Sequence, residues 1–404
     1  MAPGMDASAL PPGSGFQRVL DLARVHLEMD LTFLSEFSDE RQVMRAVSGD
    51  AASFGIALDR GLAMSQGFCH HMMSGAIPHA VPDTAAHPLL KNHSGTTIGK
   101  VGAYVGVPVR LDDGTVYGSL CAISHTRRGV DGKDVKFLRL LADLVTLEVQ
   151  GERDADRARD RLHQVVSGHE LQIALQPVVD LESGTMQGVE ALSRFPDDLG
   201  PPELVYAHAH TLGMGAELEQ YAVSEALRAL PLLDPGEYLA VNLTPAVAVA
   251  LATKAPFHDL PFDRIVLEIT EHAAVESYAE LRDSLADVRR EGLRLAIDDA
   301  GAGYASLHHV VELAPDLIKI DRSLIGGIAG DPARRSVVRA FASLAADLGA
   351  GLVAEGLETR DDLAAIRDLG VGAAQGFLLA RPSTERDDLP RWHATRLTPG
   401  DAAA

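Results

Sequence analysis

The stretch LRLAIDDAGAGYASL, residues 293–307, decides how the rest of the chain is read. An apolar run ends in two adjacent carboxylates, Asp298 and Asp299, and glycines follow at once. Side chains alternate across a strand, so neighbouring acids on a continuing strand would point to opposite faces. If the strand ends there and the backbone turns, both carboxylates reach one place. Apolar runs of the same kind recur on either side: IALQPVVDL, GVEALSRF, YLAVNLTP and RIVLEITE before it, LIKIDRSLI, GLVAEGLET and AAQGFLLARP after it. Helical patterns such as LEQYAVSEALRAL, YAELRDSLADVRREG, SVVRAFASLAADLGA and RDDLAAIRDLG separate most of them. This alternation predicts an α/β fold, a TIM-like (β/α)8 barrel, whose functional groups sit where strands end.

Reading the polar residue at the end of each run gives Glu190, Asn242, Glu268, Asp298 with Asp299, Lys319, Glu355 and Gln375. A charged group in an apolar strand is costly unless it is paired or metal-bound. Several carboxylates and an amide converging on one rim would repel one another without cations. Hard oxygen ligands of this kind suit Mg²⁺ or Mn²⁺, and a carboxylate shared by two ions makes a two-metal site plausible. Such sites serve phosphoryl chemistry, with Lys319 beside a nucleophilic water or a phosphate oxygen.

The segments EALSRF, VNLTP, LEITE, IDDAGAGYASL, IKIDRSLI, VAEGLET and QGFLLARP resemble the EAL-domain cyclic di-GMP phosphodiesterases, named for the triplet that here is Glu190-Ala191-Leu192. The resemblance covers about residues 165 to 390. It implies a TIM-like barrel and two divalent ions, Mg²⁺ or Mn²⁺, that hydrolyse one phosphodiester of cyclic di-GMP to linear pGpG. Carried over by position, it implies metal ligation by Glu190, Asn242, Glu268, Asp298, Asp299 and Glu355. Lys319 would sit at the attacking water, with Gln375 supporting that water or the metal shell. Glu271 would anchor the loop after the two aspartates, Arg194 would bind a substrate phosphate, and Gln176 and Asp321 would line the substrate groove. The loop after the aspartates departs from the family's usual pattern, with Ala300, Ala302 and Ala305 replacing an aromatic residue and two hydroxyls. His208 and His210 stand where acidic residues are common in that family and read as surface or groove-edge histidines. Because no metal-site residue is missing, an enzyme is expected; the alternative is a receptor that binds cyclic di-GMP with little turnover and signals through protein contacts. No GG(D/E)EF motif of a companion cyclase occurs.

The N-terminal part resembles a GAF domain in SQGFCHHMMSGAIPHAVPDTAAHP and VGAYVGVPVRLDDGTVYGSLCAIS, an α+β module with two strands around an Asp-Asp-Gly turn. GAF domains bind diverse small molecules or only dimerise, so the resemblance implies either a small-molecule ligand or a dimer contact here. The expected organisation is a disordered tail over residues 1–15, the GAF-like domain over 16–150, a helical linker over 151–167, the barrel over 168–390 and a second tail over 391–404. In the helical stretch that leads into the linker, Val135, Leu138, Ala142, Val145 and Val149 share one face, which suggests pairing with a second copy. Cys69 reads as a packed cysteine, and His70, His71, His79 and His87 lack the spacing of a metal site. SGTTIGK lacks the spacing of a phosphate loop.

The whole chain of 404 residues carries 36 basic and 57 acidic side chains, a net charge of −21, which disfavours nucleic acid and anionic membrane as partners. With two cysteines and no long apolar run, a reduced cytoplasmic setting is expected. That setting makes the glycosylation-like NHS at Asn92 and NLT at Asn242 chance matches.

Overall fold

The computed structural model describes residues 15–38, 41–253, 260–270, 275, 277–301 and 306–394, and the chain divides into two compact units, Met1–Ala158 and Arg159–Ala404. The first unit carries helix α1 (Gly15–His26), strands β1 (Leu31–Ser38), β2 (Arg41–Gly49) and β3 (Gly61–Ala63), helix α2 (Phe68–Met73), β4 (Ala80–Val81), helix α3 (Ser94–Thr97), β5 (Ala103–Arg110), β6 (Val116–Ser124) and helix α4 (Gly132–Ser167). The strands form one antiparallel sheet in the order β3-β2-β1-β6-β5-β4. Alternation along β6 assigns its two faces. Leu120 and Ala122 share a core with Phe16 and Leu20 of α1 and Leu138 of α4, whereas Cys121 and Ile123 share one with Phe68 and Met72 of α2. The Asp112-Asp113-Gly114 turn joins β5 to β6 as expected, with Gly114 at φ +82°.

The reading of α4 as a pairing face needs correction. Val135, Leu138, Ala142, Val145 and Val149 are all buried in the core of their own unit, packed with Leu34, Val105 and Leu120 of the sheet. Helical periodicity found the apolar face but could not say what covers it. The apolar residues α4 leaves exposed are Leu140, Leu144 and Leu147, a different stripe at i, i+4, i+7.

The second unit holds β7 (Gln172–Asp180), β8 (Met186–Arg194), α5 (Pro202–Thr211), α6 (Gly215–Leu227), β9 (Tyr238–Asn242), α7 (Pro245–Thr253), β10 (Ile265–Thr270), α8 (Tyr278–Arg290), β11 (Arg294–Ala300), α9 (Ser306–Leu313), β12 (Leu317–Ile320), α10 (Arg322–Ile325), α11 (Pro332–Leu348), β13 (Gly351–Ala354), α12 (Arg360–Asp368), β14 (Ala373–Ala374) and α13 (Asp388–Ala394). The eight strands close into a barrel in the order β10-β11-β12-β13-β14-β7-β8-β9. Each lies in one of the eight apolar runs. One strand departs from a regular (β/α)8 barrel: β7 is antiparallel to both its neighbours, β8 and β14. The reason is local, because the segment from Leu181 to Thr185 is far shorter than the dozen or so residues a parallel crossover needs. It closes instead as a turn in which Asp180 accepts hydrogen bonds from the Glu182 and Ser183 amides.

Period-two alternation then divides every barrel strand. Leu239 and Val241, Leu267 and Ile269, Leu295 and Ile297, Ile318 and Ile320, and Leu352 and Ala354 belong to the main apolar core of the unit. The opposite set, Tyr238, Ala240, Val266, Ala296, Val353 and Ala373 with Leu317 against them, forms a separate small cluster. This is the plug inside the barrel. The residue two positions beyond each interior residue points the same way and lies nearer the strand's C-terminal end.

Candidate active site

That parity rule delivers the site. Two positions after the interior residues Ala240, Val266, Ala296, Leu317, Val353 and Ala373 come Asn242, Glu268, Asp298, Lys319, Glu355 and Gln375, and Glu190 follows Gly188 in the same way. Lys319 is the hub. Its Nζ lies 2.7 Å from Glu355 Oε1, 2.8 Å from Glu268 Oε2, 3.0 Å from Asp298 Oδ1 and 3.3 Å from Glu190 Oε2, with the side chain only 2% exposed. Asn242 donates to Glu190 Oε1 at 3.0 Å, and Gln375 Nε2 donates to Glu190 Oε2 at 2.6 Å and to Gln176 Oε1 at 2.9 Å. Gln176 in turn donates to the Ala380 carbonyl.

Asp299 joins this group by breaking the alternation. It sits at φ +57°, in the left-handed region, and the pairing of β11 with β12 shifts register between Ile297 and Ala300. Its amide donates to Asp298 Oδ1, and one oxygen each of Asp298, Asp299 and Glu355 lie within 4.8 Å of one another. The turn answers the question posed by two adjacent acids: the strand ends and both carboxylates face the rim. Ala300 then returns to the apolar core. Glu271, Ala302 and Ala305 lie outside the described residues.

The electrostatics follow from burial. Desolvation pushes Glu268 and Glu355 well above the usual carboxylate range, further raised by their carboxylate neighbours and only partly offset by Lys319. Glu190 is held low, because Lys319, Gln375 and Asn242 together outweigh its burial. Burial would depress Lys319, but Asp298, Glu190, Glu268 and Glu355 override it and hold the ammonium well above its ordinary range. Burial, then the charges of Asp298 and Asp321, push Asp299 up to about 6.

These observations test whether divalent ions fit. Five carboxylates face a single ammonium, and burial together with that imbalance holds Glu268, Glu355 and Asp299 above their normal range. Gln375 Oε1 is buried and has no hydrogen-bond partner among the described residues. Two carboxylate triads, Glu190-Glu268-Asp298 and Asp298-Asp299-Glu355, share Asp298, and each brings three oxygens within 4.8 Å of one another. An oxygen-rich, charge-deficient site with one shared carboxylate fits hard divalent cations.

Of the remaining expected residues, Asp321 stands near enough to Asp299 to raise its carboxyl, and Arg194 follows Glu190 by four positions on the same strand. Arg194 ends β8, half-buried, with Nη1 donating to the Ser193 carbonyl. Asp321 caps α10 by accepting from the Ser323 amide. Sequence reasoning missed one supporting network: buried Glu219 on α6 accepts from the Thr244 amide at 2.9 Å and its hydroxyl at 3.0 Å, and contacts His210 Nε2 at 2.7 Å. It fixes the chain two residues after Asn242. The available signal was a glutamate on a helix face otherwise made of Leu218, Ala222 and Val223. Neither His210 nor the exposed His208 reaches the carboxylate cluster by any hydrogen bond among the described residues.

The chain matches the EAL domain model over residues 159–382, more than half its length, and belongs to the EAL-domain family. The GAF domain model matches residues 14–150. Cyclic di-GMP phosphodiesterase RocR of Pseudomonas aeruginosa is 31% identical over 230 residues, covering 54% of this chain and 58% of RocR. The probable cyclic di-GMP phosphodiesterase PdeD of Escherichia coli is 30% identical over 244 residues, covering 56% and 44%. The chain spans from 30% to 58% of the length of the curated relatives it matches. An EAL domain protein from Listeria monocytogenes shares the fold, with a TM-score of 0.52 at 21% identity over 57% of this chain and 96% of that one. Among the described residues no helix is long and apolar enough to cross a membrane.

Proposed function

We propose that this chain hydrolyses one phosphodiester of cyclic di-GMP to linear pGpG with the help of two Mg²⁺ or Mn²⁺ ions. The observation that carries the reading is the buried Lys319 ammonium among four carboxylates on the barrel rim, with Asn242 and Asp299 completing the donor set. Glu190, Asn242, Glu268, Asp298, Asp299 and Glu355 would hold the ions. When bound, they would supply Lewis acidity toward a phosphoryl oxygen and lower the pKa of a water.

The protein's own groups do the rest. Lys319 keeps its proton and sets a fixed positive charge where negative charge grows on the phosphate. Gln375 offers its unsatisfied Oε1 as an acceptor that orients the attacking water, and Gln176 braces Gln375 through the 2.9 Å bond between them. Arg194 would bind a phosphate, Asp321 would contact the substrate, and Glu271 would anchor the loop that follows the two aspartates. The GAF domain would set the rate, with or without a small-molecule ligand, in a homodimer to which the exposed Leu140, Leu144 and Leu147 contribute. A cytoplasmic setting agrees with the two reduced thiols.

The test is to incubate purified protein with cyclic di-GMP and Mg²⁺ or Mn²⁺ and follow pGpG by chromatography. Turnover that disappears in Glu190→Ala supports the assignment. Tight binding without turnover under either metal would convert the reading to a receptor.

A further inference from the structure

The GAF domain holds a cavity of about 270 Å³ walled by Phe33, Phe54, Ile56, Phe68 and Ile123, and Cys69 lines it. Behind Cys69 stands Cys121, its Sγ 3.2 Å away, roughly 1.2 Å beyond a disulfide bond length. Buried cysteines usually behave as small apolar residues. These two instead sit in a polar cluster. Gln42 Nε2 donates to Cys69 Sγ at 3.2 Å, the Tyr104 hydroxyl donates to it at 3.8 Å, and Cys121 Sγ lies 3.4 Å from Ser119 Oγ. Ser35 joins Gln42 to Ser119 through bonds of 2.9 Å each.

The backbone leaves room for this cluster. Gly106 pairs with Cys121 across β5 and β6, and a Cβ there would fall 2.2 Å from the Tyr104 hydroxyl and 2.9 Å from Cys121 Sγ. Any larger residue would displace the tyrosine or the thiol.

We propose that Cys69 and Cys121 are a redox-active dithiol that reduces an uncharged organic hydroperoxide admitted to this cavity. Cys69 is the attacking sulfur, since it faces the cavity and the donors converge on it. The hydrogen bond from Cys121, with help from Gln42 and Tyr104, holds the Cys69 thiol below its usual range against the push of burial, whereas burial raises Cys121. An uncharged substrate follows from the walls: among the described residues no Lys, Arg, Asp or Glu lines the cavity.

The chemistry balances in two steps. The Cys69 thiolate attacks the outer oxygen of ROOH, the O–O bond breaks, and RO⁻ takes the released proton to leave as ROH, with Cys69 now a sulfenic acid. Cys121 sulfur then attacks Cys69 sulfur, the S–O bond breaks, and the hydroxyl leaves with the Cys121 proton as water. Two thiols lose two electrons and the peroxide gains them.

The experiment uses the full chain and stoichiometric tert-butyl hydroperoxide, followed by intact-mass measurement and alkylation of remaining thiols. The expected product is a monomeric chain lighter by about 2 Da with both thiols lost, restored by dithiothreitol. Cys121→Ser should stop at a sulfenic acid on Cys69 that a dimedone probe traps, and Cys69→Ser should slow consumption of the peroxide by at least about tenfold. Two alkylatable thiols surviving in the wild-type chain, a bridge formed between chains, or unchanged peroxide consumption in Cys69→Ser would each overturn the proposal. The wild-type result stands without either variant, so a folding defect in a variant does not rescue it.

Discussion

At the barrel rim four carboxylates contact one ammonium and a fifth, Asp299, stands beside them; at and behind the wall of the GAF cavity two thiols, two serines, a glutamine and a tyrosine meet with no Lys, Arg, Asp or Glu among them. Both clusters are buried beneath apolar strands, and burial penalises both. The GAF cluster answers that penalty internally, by pairing donors with acceptors. At the rim burial and the neighbouring carboxylates raise Glu268 and Glu355 well above their normal range, and Lys319 offsets only part of that. A cluster that balances itself is complete when folded, whereas a cluster short of positive charge is built to receive it.

That contrast can be broken most directly by taking cations away. Chelation with EDTA should abolish pGpG formation, by more than about a thousandfold, and Glu190→Ala should do the same even with metal in excess. Robust turnover in EDTA would mean that the rim is not short of charge. Next in size, Lys319→Ala should lower kcat by roughly a hundredfold or more while KM moves only a few-fold, because its charge serves the transition state more than the bound substrate. Steady-state kinetics decide it, and a rise in KM alone would recast Lys319 as a binding residue. Glu219→Gln should cost less, on the order of tenfold in kcat, through loosening of Thr244 and so of Asn242; unchanged kinetics would show that the β9 end holds its place unaided. The smallest effect belongs to the neutral cluster. Gln42→Leu should lower the unfolding free energy by about 1 to 2 kcal/mol, measured by urea denaturation, because Ser35 loses a donor inside the sheet. A stability unchanged by that substitution would show that the cluster is not held together by its hydrogen bonds.

Much of the barrel could be read from the sequence because two periodicities coincide there. Alternation marks an interior residue, and a polar residue two places on is conspicuous in a strand such as RIVLEITE. Asp299 was visible as an oddity, but only its left-handed backbone shows how it joins the rim. Gln176 lies in the middle of an apolar run, and its arrival beside Gln375 depends on the reversal of β7, a long-range fact that no local pattern encodes. Glu219 acts through a contact with Thr244, 25 positions away. The α4 stripe misleads for a related reason: periodicity reports that a face is covered and is silent about whether the cover is the same chain.

The reversed β7 also changes where the chain comes in. Its first residue, Gln172, pairs with Arg194 at the last residue of β8, so the polypeptide leaving α4 enters the barrel on the side where the reaction would occur. In a regular barrel the first strand would begin at the floor, with the full depth of the apolar plug between the incoming chain and the chemistry. Here the doorway and the workbench share a wall, and Gln176, a few residues inside, is already bonded to a neighbour of Glu190.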